Sequence, residues 1–518
     1  MKKEKIEALK KIAEKVFAAL RGAANKISRG NVYGKLFILI GALISVPAAA
    51  SLFLRGEIKY APAFLIPAVI AAAIGVAAGI LFKQKNENAR FWQSPIQQGS
   101  LPVLSAWLFA IGIGSLPFVI GGQMRPLDSL FESVSGWTTT GLTLADVENM
   151  PKTFLFYRSF MQYCGGLGFI LMVNMLVHGK SEINLFNAEG HPDRIMPNLK
   201  KTSRTIFLLY NGFLAAGIIL YLIFKMSFFD ALCHAMSALS TAGFSTRADS
   251  IGAYNSVGIE VVTSVLMLVG STNFAVLSLL LRGRIGRVLK VGEVRFMLIM
   301  TAGFALLIAV SMTLSGSPFF SSLHKAVFGV ITTFSTTGYT LSDYYTWQPF
   351  AVFLLFILMF VGGGAGSTAG GMKILRIHIL LKAAVGGIWR RLSPSNKIIH
   401  LKYSKVQGKS VIDADLISET MAFAASYIMI FIAGTALILL FNPDIDLFKG
   451  MFEFASALGT VGISNGLTKT ANAPTLVVEM IGMILGRLEI FIVFVGIYAA
   501  ARRIANIEIK PRRRVFKK

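Results

Sequence analysis

The chain has 518 residues, of which 54% are hydrophobic and 15% charged, far below the roughly 25% charge of an ordinary soluble domain. Its net charge of +25 would suit a nucleic-acid binder, but 40 of the 51 Lys and Arg fall in six segments, 1–35, 83–101, 178–204, 282–295, 373–409 and 502–518. Those are alternate loops between apolar runs, which is the positive-inside bias of a polytopic membrane protein with both termini cytoplasmic, and nucleic acid is excluded as the expected partner.

Residues 1–34 read as a basic amphipathic extension, with Ile6, Leu9, Ala13, Val16, Phe17 and Leu20 on one side and lysines on the other. Such a segment suits an anionic leaflet or a solvated helix. Residues 35–83 hold two apolar runs of about 20 residues, each long enough for a ~30 Å hydrocarbon core, and are expected to form a two-span hairpin. The first run is full length and lacks a small-residue cleavage site, so it reads as a retained span rather than a signal peptide. Four units follow at 102–178, 204–282, 293–380 and 415–501, each a span, a shorter segment and a second span, giving ten expected spans in all. Between the last two units, 381–414 is a cytoplasmic linker in which 397–411 alternates around Gln407-Gly408-Lys409 as a hairpin would. A basic cytoplasmic tail, 502–518, ends the chain. Cys164 and Cys233 make neither a disulfide framework nor a zinc site and read as small buried hydrophobes.

The shorter segments carry the repeat. They are FESVSGWTTTGLT from Phe131, CHAMSALSTAGFS from Cys233, FGVITTFSTTGYT from Phe328 and FEFASALGTVGIS from Phe452. Superposed on Gly141, Gly243, Gly338 and Gly462, all four have Ser or Thr six residues earlier (Ser135, Ser237, Thr332, Ser456) and Thr two residues earlier (Thr139, Thr241, Thr336, Thr460). An apolar or aromatic residue follows each glycine (Leu142, Phe244, Tyr339, Ile463), and then a hydroxyl returns (Thr143, Ser245, Thr340, Ser464). Repeats of this kind put the functional site on a shared axis.

These segments are too short to span, and non-helical backbone at membrane depth persists only where it lines a water-filled path or is buried in protein. Four of them imply a pore. Glycine tolerates positive φ, so consecutive carbonyls can turn toward one axis, while flanking hydroxyls add oxygens where an ion sheds water. The expected filter is Thr139, Thr140, Gly141, Thr241, Ala242, Gly243, Thr336, Thr337, Gly338, Thr460, Val461 and Gly462, with potassium as the substrate ion. The third string, Thr336-Thr337-Gly338-Tyr339, is close to the TVGY of tetrameric potassium channels. Close helix packing is the alternative reading of small-residue motifs, but it does not require four aligned strings.

Further glycines recur 24 to 28 residues after each filter glycine, at Gly165, Gly166 and Gly168, at Gly270, at 362–366 and at Gly486. The third of these begins Gly362-Gly363-Gly364-Ala365-Gly366-Ser367-Thr368-Ala369-Gly370-Gly371-Met372-Lys373. It is not a phosphate-binding loop, since Met372 and Ile374 stand where that motif needs other residues and no strand precedes it. At about 1 kcal/mol per glycine relative to Ala, so many should unwind the span into an intramembrane loop. Arg487, between Ile484 and Ile490, costs at least ~2.5 kcal/mol in a lipid-facing span and should face the pore. Glu489, two residues on, points to another helical face and is a poor partner for it. Outside, Asp128, Glu132, Asp146, Glu148, Asp230, Asp249 and Asp343 would concentrate cations at a mouth. His234 stands where loops one and four have an acid and reads as a packed pore-helix histidine.

On these residues the chain resembles the TrkH and KtrB family of potassium transporters over roughly 36–501, and the preceding hairpin looks like TrkH rather than the shorter KtrB. The resemblance implies an all-α polytopic membrane protein in a bacterial-type inner membrane. It would have four membrane-helix, pore-loop, membrane-helix repeats around one pore, after a two-helix hairpin. It implies potassium uptake, with Gly141 where related plant transporters that favour sodium carry serine. It also implies a gate formed by Gly362 to Gly371 beside Arg487, a homodimer with one pore per subunit, and a cytosolic nucleotide-binding regulatory ring of the TrkA or KtrA type. The basic N-terminal extension is longer than the family leads one to expect. No organic cofactor and no enzymatic activity are expected, because no activated nucleophile, His/Cys/Asp cluster or cofactor loop is present. Two alternatives stay open. One is the potassium-binding subunit of a P-type pump, against which the Gly-rich string and Gly486-Arg487 weigh. The other is a proton- or sodium-coupled potassium symporter, for which Glu260 and Glu479 are the candidate carboxylates.

Overall fold

The structure, a computed structural model, describes residues 32–81, 95–168, 171–172, 199–394, 400–406 and 408–505. The expected amphipathic segment and most of the basic tail lie outside the described residues. Two helices, α1 (Val32–Ala50) and α2 (Ala61–Leu81), form the expected hairpin. Their contact is made of small residues: a Cβ added at Gly41 would lie 2.8 Å from the carbonyl of Ala68, the close approach by which apolar helices gain dispersion energy in lipid.

The first unit comprises α3 (Pro95–Ile120), α4 (Pro126–Trp137) and α5 (Lys152–Leu167). The second comprises α6 (Leu199–Ile223), α7 (Phe228–Leu239), α8 (Val257–Gly270) and α9 (Phe274–Leu281). The third is α10 (Gly292–Leu314), α11 (Phe319–Phe334), α12 (Pro349–Met359) and α13 (Ile374–Leu392). After it, β1 (Lys402–Lys405) and β2 (Gly408–Val411) pair antiparallel with Lys402 opposite Val411, a hairpin where the alternation places one. The fourth unit is α14 (Ala414–Phe441), α15 (Leu447–Gly459), α16 (Ala473–Leu488) and α17 (Ile490–Ile504).

Of the short helices α4, α7, α11 and α15, two begin at side-chain caps that satisfy donors helix starts leave orphaned: Ser227 accepts from Asp230 N, and Asp446 accepts from Phe448 N and Lys449 N. Pro126 opens α4, where it brings no N–H to satisfy, and α11 starts after Pro318. Among the described residues, six helices are long and apolar enough to cross a membrane, and two bent pairs raise that to eight. Apolar side chains on their outer faces remain exposed, such as Leu208 and Ile223 on α6 and Ile299 and Leu314 on α10, as lipid contact requires.

The expectation of ten continuous spans, broken only in the third unit, needs correction. The second span is interrupted in every unit. α5 ends at Leu167 with Gly168 at φ 85°, α8 and α9 meet at 117°, and α16 and α17 at 103°. The α16–α17 corner is Glu489 at φ 61°. The cause is packing. A Cβ at Gly165, Gly270 or Gly486 would collide with the carbonyl of Trp137, Leu239 or Leu458, at or beside the C-terminal end of the short helix in the same unit. In these three units the recurring glycine therefore seats the second span against its own short helix.

Candidate ion filter and barrier

The four loops after α4, α7, α11 and α15 share one backbone course. Thr139, Thr241, Thr336 and Thr460 all adopt the left-handed region, with φ of 56°, 52°, 56° and 51°, and the glycines two residues on have φ of 96°, 79°, 82° and 85°. Non-glycine residues are rarely found there, so four equivalent outliers mark strain held for a purpose. In each loop the carbonyl of the Ser or Thr six residues before the glycine accepts from the residue just before it, at 3.0, 2.9, 2.9 and 2.8 Å (Thr140, Ala242, Thr337, Val461).

The glycines close a ring. A Cβ at Gly141 would strike the carbonyl oxygen of Ala242, at Gly243 that of Thr337, at Gly338 that of Val461, and at Gly462 that of Thr140. Each loop touches the next in the order one, two, three, four and back to one, so all twelve residues named from the sequence come together about a single centre. Above it, a cavity of about 520 Å³ takes its walls from all four units, including Gly141, Asp249, Asp343 and Gly462. Of the outer acids, Asp249 and Asp343 line it. Glu132 is instead paired with Arg158 at 2.6 Å, and Asp230 with Thr246 and Arg247. His234 is packed, its two ring nitrogens engaging the Asp230 carbonyl and the Ser245 hydroxyl.

Two side chains on α5 support the second loop. Gln162 donates from Nε2 to the Ala242 carbonyl at 2.8 Å and accepts from Phe244 N at 3.1 Å, clipping the backbone on both sides of Gly243. Arg158 lies over the Phe244 ring at 4.1 Å and donates to the Ser245 carbonyl. Sequence reasoning missed both. Arg158 was findable, because it is a charge within an apolar stretch and meets the criterion applied to Arg487. Gln162→Leu removes both clips and leaves buried groups unsatisfied, a cost of ~1–3 kcal/mol for each. The expected result is a several-fold fall in potassium-over-sodium permeability in inserted protein, read from bi-ionic flux in liposomes. An unchanged ratio would reduce Gln162 to a packing residue.

The Gly-rich segment lies directly beneath the ring. Its base is closed by a parallel bridge between Val361 and Met372, with Gly362 N donating to Met372 O at 2.8 Å. At its tip, the fully buried Thr368 meets the hydroxyl of Thr241 at 3.1 Å and donates to the carbonyls of Gly270 and Leu239. Gly370 N donates to the Thr336 hydroxyl at 3.1 Å, and a Cβ at Gly370 would collide with the Thr460 hydroxyl. The segment thus touches the inner threonines of units two, three and four. Gly363, Gly364, Ser367 and Ala369 complete the turn: Gly364 N donates to Ser271 O, Ser367 caps back to Gly364 O, and Lys373 Nζ reaches Ala369 O.

Arg487 ties that segment to the first unit. Its Nη1 donates to the Thr368 carbonyl and its Nη2 to the Gly165 carbonyl at 2.6 Å. These carbonyls are among the partners that hold the guanidinium in place. Glu489 turns away, as its spacing implies, and pairs with Arg376 of α13 at 2.8 Å. Arg376 in turn stacks over Phe423, linking the end of the Gly-rich segment to the α16–α17 corner.

A family model described as TrkH, cation transport protein, matches residues 62–500. The chain belongs to the TrkH family. TrkH-family relatives include the Trk system potassium uptake protein TrkH of Halomonas elongata, 30% identical over 442 residues, 82% of this chain and 90% of that protein. A cation transporter of Methanocaldococcus jannaschii is 30% identical over 478 residues, 90% of this chain and 94% of that one. The crystal structure of the potassium transporter TrkH from Vibrio parahaemolyticus superposes with a TM-score of 0.78 at 24% identity, covering 90% of this chain and 98% of that one. The TrkH fold, an all-α polytopic membrane architecture, is therefore that of this chain.

Proposed function

We propose that this chain takes up potassium through the ring formed by Thr139 to Gly141, Thr241 to Gly243, Thr336 to Gly338 and Thr460 to Gly462. The observation that carries the reading is the cyclic contact of each filter glycine with the next loop's carbonyl, which surrounds one axis with oxygens. The buried hydroxyls of Thr139 and Thr460 have no hydrogen-bond partner among the described residues, which suits oxygens that face an ion or its water. The names of the relatives, potassium uptake protein and cation transporter, agree with it. The chain then works as four units, 102–178, 204–282, 293–380 and 415–501, around that axis.

The segment Gly362 to Gly371 is the gate, closed by its contacts to three inner threonines and restrained by Arg487. The basic segments face the cytoplasm, where they suit docking of a nucleotide-binding ring of the TrkA or KtrA type to a homodimer, in a bacterial-type inner membrane. Purified protein in liposomes tests the reading: potassium should enter down its gradient, with sodium at least tenfold slower, ~1.4 kcal/mol of discrimination. Equal rates for the two ions would overturn it. In the same vesicles, Lys409→Cys and Asn255→Cys, both at exposed positions, should react with impermeant maleimide from opposite faces. Labelling from one face would overturn the orientation.

A further inference from the structure

The first and fourth units differ at one matched pair of positions. Nine residues before the filter glycine, both have an acid on the short helix, Glu132 on α4 and Glu453 on α15; seventeen residues after it, unit one has Arg158 and unit four has Glu479. In unit one the pair is a buried salt bridge at 2.6 Å. In unit four the matched positions hold two fully buried carboxyl groups that share the Thr468 hydroxyl instead.

Their hydrogen bonds assign the charges. Glu453 accepts from the Ser464 hydroxyl at 2.5 Å, from Asn465 N at 2.9 Å, from Thr468 N at 3.1 Å and from the Thr468 hydroxyl. Four donors are what an ionised carboxylate can absorb. A threonine hydroxyl has one proton, and Thr468 gives it to Glu453. The remaining contact, Thr468 Oγ1 to Glu479 Oε2 at 3.1 Å, is a hydrogen bond only if Glu479 is the donor. Glu479 Oε1 is buried without a partner among the described residues, tolerable for the carbonyl oxygen of a neutral acid but not for a carboxylate.

Among the described residues no Lys, Arg or His makes an ion pair with Glu453 or Glu479, Lys449 of α15 and Lys469 in the turn at Leu467–Thr470 included. On α4, Asp128 and Glu132 are committed to Arg125 and Arg158. Asp415 and Glu419 lie at the opposite end of α14, and the charges of α17 lie at or beyond Glu489. Tyr345, from the third unit, is a phenol pushed up by burial and then by Asp446 and Glu453, and it carries no charge.

We infer that Glu453 and Glu479 form a proton-binding site behind the fourth filter loop, with Glu453 ionised and one proton held on Glu479. Two like charges held on one threonine hydroxyl in a dry site cannot both ionise, so the proton does in unit four what Arg158 does in unit one. It also keeps a doubly negative pocket from forming beside a cation path, where it would trap the permeating ion. The charge assignment rests on hydrogen bonding alone; only this consequence for permeation rests on the proposed function.

Infrared spectroscopy of the protein in liposomes at neutral pH tests it. Wild type minus Glu479→Gln should show the carbonyl stretch of a protonated carboxyl group, shifted in D2O. No such band would overturn the inference. Thr468→Val, which keeps both carboxyl groups, is the second variant: the band should persist and move to higher frequency as its hydrogen bond is lost, and an unmoved band would also overturn it. Because Gln mimics the neutral acid, Glu479→Gln should carry wild-type potassium flux. A loss of about tenfold or more would contradict a neutral group there, whereas absence of flux in wild type would strike the transport reading and leave the spectra to decide the site.

Discussion

Gly141→Ser lowers the potassium-to-sodium permeability ratio by roughly tenfold or more, the amount that ~1.4 kcal/mol of lost discrimination produces. Gly141 stands at φ 96°, and a Cβ there collides with the Ala242 carbonyl of the next loop. A non-glycine residue held in such a conformation costs ~1–3 kcal/mol, which the loop relieves by moving its own carbonyls or those of Ala242 away from the ring. Ala242 is also the residue Gln162 clips, so the strain passes into the second loop. A ring displaced on one side no longer matches one ion's dehydration in preference to another's. The measurement is the bi-ionic reversal potential or paired flux of inserted, correctly folded mutant. A ratio equal to wild type would remove Gly141 from the selective element and with it the four-loop filter.

Deleting residues 364–369 raises potassium flux in the absence of any cytosolic partner by at least about tenfold, while the potassium-to-sodium ratio stays within about twofold of wild type, under ~0.5 kcal/mol. The deletion is geometrically mild, because the Val361–Met372 bridge closes the base and Gly363 and Gly370 flank the excised turn. It removes Thr368 from beneath Thr241 and leaves every filter residue in place. Arg487→Ala acts in the same direction and less strongly. It removes donors to the Thr368 and Gly165 carbonyls but leaves the obstruction standing. Hydrogen bonds from a charged donor are worth ~1.5–3 kcal/mol, part of which water recovers in the opened state, so a several-fold rise is expected. Flux unchanged by the deletion, in protein that inserts and assembles, would place the gate elsewhere and make the glycines a packing device.

The same distinction between local and distant causes divides what could be read from the sequence from what could not. The spans, the hairpin before the first unit and the four short segments follow from apolar length and from the alignment on Gly141, Gly243, Gly338 and Gly462. These are properties of contiguous residues, and burial in lipid leaves the backbone little alternative to helix. The β-hairpin after α13 followed equally from alternation around Gly408. The four loops and the Gly-rich segment stood out because glycine is the residue that tolerates left-handed backbone wherever the rest of the chain lies, and because hydroxyls recur at fixed spacings around each loop glycine.

Contacts between units were decided only by the tertiary structure. That Gly141 meets Ala242 while Gly462 returns to Thr140 depends on how four units close, not on any one of them. In the first, second and fourth units the second span breaks at or just beyond a glycine pressed against the end of the unit's short helix, a constraint no propensity records. Arg487 was marked by its cost in lipid, but its partners lie 119 and 322 residues away. Gln162 carries no unusual propensity or charge and drew no notice until folding placed it across the second loop. Glu479 stood out in the sequence only as one of two carboxylates that kept a coupled symporter open; that it shares Thr468 with Glu453 is visible only in the fold. A sequence sets which groups are costly to bury, and the fold decides which partner answers each cost, because hydrogen bonds and charges act over a few ångströms between residues that the chain holds far apart.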